Sequence, residues 1–221
     1  MPTCHALLLS ALLGVSAVNA FCGDNGGAEL GFGTQADTDS NGGNPSTVLG
    51  FSASGPFDAA GNPILSVIAT NAGFDSSFYA FAAFLCGQAN PDSYPQTTFG
   101  PVINEDSIST QTNTPLCLTA SALGEANITV ALLPCINDIS VNPVPTQTFQ
   151  WIGTDFITYG FEFIGNQSGT PLDPSTPTDY IPSLVSVTNG TGAYLRLDYV
   201  PGGLPPSTGR ETGMVLALSD D

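Results

Sequence analysis

The amino-acid sequence predicts an all-β fold. Three observations carry this expectation. Short apolar runs rich in β-branched and aromatic residues recur along the chain. Clusters of Gly, Pro, Asn and Ser separate them, with 25 Gly and 18 Pro among 221 residues. No long stretch shows the periodicity of an amphipathic helix. Short strands divided by turn residues are the sequence pattern of sandwiches and barrels.

Charge narrows the function classes. Lys and Arg total 2 against 19 Asp and Glu, a net charge of −17. With no basic cluster to displace counterions from phosphate, nucleic acid is excluded as a partner. A polybasic membrane anchor is excluded for the same reason. Disorder is not expected, because 42% of residues are hydrophobic, enough for a core.

Taken in chain order, residues 1–20 read as a signal peptide. Ala6 to Val18 is apolar but too short to span a bilayer, and Val18-Asn19-Ala20 offers small residues at a cleavage site. The n-region is weak, with only His5 and the amino terminus for charge. No second long apolar run follows, so no membrane span is expected. The reading is therefore a secreted, extracellular protein whose mature chain starts at Phe21. Cleavage would remove Cys4 and the single histidine, and the sequence has no lysine. Ser-His-Asp triads, Cys-His pairs, Schiff-base lysines and His-ligated zinc are then excluded. No cofactor and no metal are expected. Carboxylates are the only strong acid–base side chains left.

Residues 21–46 are rich in Gly, Asn and Asp and read as a flexible arm, with one apolar island at Leu30-Gly31-Phe32. Asp37 to Gly42 superficially suggests a calcium loop. The bidentate Glu that such a loop requires is replaced by Val48, so a solvated turn is expected. Residues 47–221 read as a single domain. Its strands are expected around Ile64–Ala69, Phe78–Leu85, Ile128–Leu133, Phe156–Ile164 and Met214–Leu218.

Four cysteines remain after cleavage: Cys22, Cys86, Cys117 and Cys135. An even number in a secreted chain reads as two disulfides, and spacing alone leaves the connectivity open. Three N-glycosylation sequons begin at Asn127, Asn166 and Asn189. A sequence pI near 4.1 suits an acidic medium, where protonated carboxylates repel one another less.

An internal repeat can be written residue by residue. Val67-Ile68-Ala69-Thr70 aligns with Leu116-Cys117-Leu118-Thr119 at an offset of 49 residues. The same offset carries Phe81–Cys86 onto Val130–Cys135. After one inserted residue, Gln96–Phe99 meets Gln147–Phe149. Units of this size cannot close a core alone and must pack together.

Leu116-Cys117-Leu118, then Val130 to Cys135, then Gln147-Thr148-Phe149 resembles one repeat of the ricin-B-type lectins. Those carry Cys-Leu-Asp, a Trp-Pro-Cys strand and a Gln-x-Trp strand. The match is best over residues 114–151. The resemblance implies a β-trefoil-like fold, with a two-sheet β-sandwich as the rival. A third unit would begin late, at Tyr194–Asp198 followed by Met214–Leu218, with residues 154–190 as a large insertion. The resemblance also implies within-repeat pairing of Cys117 with Cys135, which leaves Cys22 for Cys86.

What the resemblance implies for function is carbohydrate binding. Such a site needs an Asp to accept from sugar hydroxyls, an aromatic ring for the apolar sugar face, and an amide. The second unit departs from this, with Thr119 at the Asp position and Leu133 at the aromatic one. Gln147 is retained there, more as a buried amide holding the strand. The first unit offers Phe84 and Gln96, with Thr70 at the Asp position and Asn71 beside it. The third offers Asp198 and Tyr199, although Asp198 could instead pair with Arg196 two residues away on the same strand face. Phe84 and the single tryptophan, Trp151, also suit core positions. The expected function is a divergent, lectin-like module with glycans as partners; nothing in the sequence sets its oligomeric state. A non-binding secreted trefoil of structural or host-interaction type is the alternative. An acidic glycoside hydrolase using two of Glu105, Asp106, Glu125, Asp155, Glu162 and Asp198 is a further one, though these form no local catalytic motif and no enzyme is expected.

Overall fold

The computed structural model describes residues 22–33, 47–52, 54–68, 80–86, 96–104, 107, 114–138, 144–153, 158–165, 179–188, 192–200 and 213–218. The candidate signal peptide, Thr70, Asn71, Glu105, Asp106, Asp155, Asn166 and Asn189 lie outside them.

The chain is all-β, as expected. The strands are β1 (Cys22–Gly33), β2 (Val48–Gly50), β3 (Ser66–Val67), β4 (Ala80–Cys86), β5 (Gln96–Gly100), β6 (Val102–Asn104), β7 (Leu116–Ala120), β8 (Ile128–Pro134), β9 (Phe149–Gly153), β10 (Thr158–Phe163), β11 (Tyr180–Ser186), β12 (Ala193–Tyr199) and β13 (Gly213–Leu218). They form one sheet in the order β11-β12-β3-β2-β1-β13-β10-β9-β5-β4-β6-β7-β8. Two further pairings, β12–β8 and β1–β4, join strands far apart in that order, so the sheet curls back on itself. Curling reduces the unpaired backbone that an open sheet leaves at its edges.

Alternation along the strands builds the core. In β12, Leu195 and Leu197 are buried while Tyr194, Arg196 and Asp198 are half-buried on the other face. Leu30, Leu49, Phe51, Leu65, Phe81, Leu118, Val130 and Phe149 fill the same interior. Each such side chain stabilises the fold by roughly 1.5–3 kcal/mol relative to exposure. A chain of aromatic rings runs through it: Phe149 to Phe163 at 5.3 Å, Phe163 to Tyr180 at 4.8 Å and Tyr180 to Tyr199 at 5.4 Å between centroids.

The structure differs from the sequence reading at the arm. Cys22–Gly33 is a strand, β1, and it pairs with β13, β2 and β4. Its glycines lower intrinsic strand preference, but β4 pairs along Cys22–Glu29 and β13 and β2 pair within Ala28–Gly33, giving its backbone groups partners. The apolar island belongs to the core: Leu30 is buried, and Phe32 packs against the interior. Residues 34–46 lie outside the described part.

The repeat units pair unequally. In the second, β7 and β8 form an antiparallel hairpin with Cys117 opposite Leu133. In the first, β3 pairs with β2 and β12. In the third, β12 pairs with β11, β3 and β8, while β13 pairs with β1 and β10. Threefold repetition of the hairpin is not seen among these pairings. The segment between the second and third units contributes β10 and β11.

Candidate functional site

The second unit is held by one amide. A single 3-10 turn, Pro145–Gln147, delivers Gln147 into the interior, where it is 1% exposed. Pro145 suits the first position of this turn, because its missing N–H would have no partner there. The Gln147 Oε1 accepts from the Ile136 backbone N–H at 3.0 Å. Its Nε2 donates to Thr119 Oγ1 at 2.9 Å and to the Pro134 carbonyl at 3.1 Å. The Thr119 hydroxyl in turn donates to the Cys117 carbonyl at 3.0 Å. The Cys117–Cys135 disulfide closes the same hairpin, spanning 18 residues. Thr119 is buried and its hydroxyl both donates and accepts within the molecule, so the Asp position of this unit presents no carboxylate and no exposed hydroxyl to a ligand.

The turn approaches its neighbours closely. A Cβ on Gly165 would collide with the Pro145 carbonyl and the Phe163 ring. The Gly165 carbonyl accepts from the Tyr180 hydroxyl at 3.1 Å, and that hydroxyl accepts from the Gly124 N–H at 3.0 Å. Burial pushes the Tyr180 phenol above its ordinary range.

In the third unit Asp198 is engaged at both oxygens. Oδ2 lies 2.7 Å from Nη2 of Arg196, and Oδ1 accepts from the Asn127 N–H at 2.9 Å. Asn127 holds φ at 59°, in the left-handed region that Asn tolerates better than most residues. Tyr199 packs against the core beside Tyr180. The tight turn before β8 thus depends on a carboxylate from β12, a coupling across 71 positions that no local motif signals.

For the first-unit candidates Phe84 and Gln96 only the backbone placement is described. Phe84 of β4 stands opposite Asp24 of β1 in the antiparallel register. Gln96 of β5 stands opposite Gly153, and Trp151 lies between Thr98 and Phe161. The same β1–β4 register sets Cys22 opposite Cys86. Sequence reasoning did not single out Asp24, because its local surroundings are those of a Gly-rich loop.

Of the other acid–base candidates, Glu125 and Glu162 are described, and the Glu125 carbonyl accepts from the Tyr199 N–H at 3.1 Å. Glu162 accepts from the Gln150 amide at 3.1 Å, and Glu125 is exposed in the turn before β8. Asp58 closes its own turn, accepting from the Ala60 N–H at 2.9 Å, the Asn62 N–H at 2.8 Å and the Asn62 side-chain amide at 2.9 Å. The hydrogen bonds from Asn62 hold its carboxyl below the ordinary range. Among the described residues, no group of three or more His, Cys, Asp or Glu is placed to hold a metal ion. No described helix is long and apolar enough to cross a membrane.

Against known proteins the chain shows no match to a family model, to a curated protein or to a solved structure.

Proposed function

We propose that this chain is a secreted, non-catalytic β-domain of structural or host-interaction type, in which the polar groups at lectin-like positions hold the framework together. One observation carries this reading: both oxygens of Asp198 are engaged within the molecule, by Arg196 and by the Asn127 N–H. Each oxygen already holds one partner, so the carboxylate serves first to fasten the Asn127 turn and the Arg196 side chain. Thr119 and Gln147 are likewise committed to each other. The test is a glycan array probed with protein from culture medium, whose amino terminus is first sequenced and expected at Phe21. No array binding is expected. A hit that Asp198→Ala abolishes while the fold is retained would overturn the reading, and an intracellular protein retaining Met1 would overturn its secretion.

A second reading, glycan binding through the first unit, is favoured by the Asp24–Phe84 register. A carboxylate and an aromatic ring on paired strand positions are the groups a sugar needs, and Asp24 would supply the charged acceptor that Thr70 lacks. Under this reading Asp24→Asn and Phe84→Ala each weaken binding to an array hit, whereas Asp198→Ala does not.

A further inference from the structure

The outer face of β12 carries polar groups that the fold uses only in part. Leu195 and Leu197 face the interior, which leaves Tyr194, Arg196 and Asp198 on the opposite face. Register widens that face. Ser183 of β11 and Thr129 of β8 stand on either side of Arg196, and Ile181 stands opposite Asp198. Two buried atoms here, Ser183 Oγ and Arg196 Nε, have no hydrogen-bond partner among the described residues. Ile181 is 37% exposed. The sequon Asn127-Ile128-Thr129 runs along the rim of the same face. Ile128 is buried, Thr129 lies beside Arg196, and the exposed Asn127 is tied by its own N–H to Asp198.

We propose that an N-linked glycan on Asn127 folds back over the Arg196–Asp198 pair and is seated on the outer face of β11, β12 and β8. The proposal rests on the reading of the chain as secreted. Glycan transfer forms the bond between Asn127 Nδ2 and the anomeric carbon of a lipid-diphosphate-linked oligosaccharide. It breaks that carbon's bond to the diphosphate, which leaves, and the amide proton passes to a base of the transferase. The first sugar is then attached to the residue whose N–H already touches Asp198, so reaching the ion pair requires no spacer. Its hydroxyls can donate to the carboxylate, and its hydroxyl and acetamide oxygens can accept from the guanidinium; both are charge-assisted bonds. Tyr194 and Ile181 offer apolar area for the ring faces. A neutral glycan suits this protein, since a net charge of −17 repels an anionic ligand. Seated there, the glycan also excludes an external sugar from Asp198.

The test uses the full chain secreted from a eukaryotic host that adds N-glycans. Glycopeptide mapping should find Asn127 occupied. Release of that glycan by a glycan amidase should be slower from native wild type than from an Arg196→Gln/Asp198→Asn variant. About a fivefold difference is expected for the loss of one ordinary hydrogen bond, and it should vanish once both proteins are denatured. Should the variant fail to fold, isotope-labelled glycan on the wild type should still show nuclear Overhauser contacts to Tyr194 and Ile181. Equal native release rates from a folded variant, or absence of those contacts, would overturn the proposal. Glycans on Asn166 or Asn189 with Asn127 bare would overturn it while leaving the secreted reading intact. A medium-derived chain with no glycan at all would overturn it as well, and an intracellular chain would overturn both.

Discussion

The amide of Gln147 donates to the hydroxyl of Thr119 at 2.9 Å across 28 positions of sequence, and both side chains are buried. This bond makes the second unit a framework element. Gln147→Ala would leave the Ile136 N–H, the Pro134 carbonyl and the Thr119 hydroxyl short of partners. Ile136 and Pro134 are exposed residues, where water can take over, whereas Thr119 is buried; one unpaired buried group costs about 1–3 kcal/mol, so we expect a loss in that range. Thr119→Val removes one partner only and should cost less. Urea unfolding of the two variants checks the order, and a Gln147→Ala protein as stable as wild type would show that the network is dispensable.

The disulfides give a second expectation. Closing an 18-residue separation should stabilise by about 3 kcal/mol in the chain-entropy model, so Cys117→Ser/Cys135→Ser should lower stability by that order. Cys22 and Cys86 stand opposite each other on paired strands, where Cα separations of about 4.5–5.5 Å fall inside the disulfide range. Non-reducing peptide mapping should recover Cys22 joined to Cys86. A Cys86–Cys117 peptide would contradict both the strand register and the repeat alignment.

Tyr180 supplies a pH dependence with a definite sign. Its phenol is raised above 10.0 chiefly by burial, so the neutral form is favoured in the folded state. The resulting stability is fully present below the unfolded value and is lost as pH rises through the folded one. Tyr180→Phe should flatten this alkaline loss. It should also destabilise at neutral pH by about 1–3 kcal/mol, because the Gly124 N–H and Gly165 carbonyl lose a partner. Thermal melts of the two proteins from neutral to alkaline pH decide it.

Asp58 behaves in the opposite sense. Its folded pKa lies below 3.8, chiefly through the hydrogen bond from the Asn62 side chain. Its contribution is present above the unfolded value and disappears as pH falls through the folded one. Carboxyl chemical shifts followed in an acid titration should place Asp58 below a model carboxylate, and Asn62→Ala should move it back up.

Strand content, the even set of cysteines and the scarcity of positive charge were legible in the sequence, because β-branched runs, turn residues and charge are local properties. The Cys117–Cys135 pairing followed from the resemblance of residues 114–151, since both cysteines flank one hairpin. β1 was not legible. Its Gly-rich segment reads as a loop, and only its distant partners, β4 along the first half and β13 and β2 along the second, make it a strand. Tertiary structure alone also decided what the candidate groups do. Two residues apart on a strand, Arg196 and Asp198 could be foreseen as a pair. That the second Asp198 oxygen would fasten the turn at Asn127 could not be, because that bond exists only where β12 lies against β8. A carboxylate in sequence is a set of acceptors of unknown use, and the fold determines which donors reach it first.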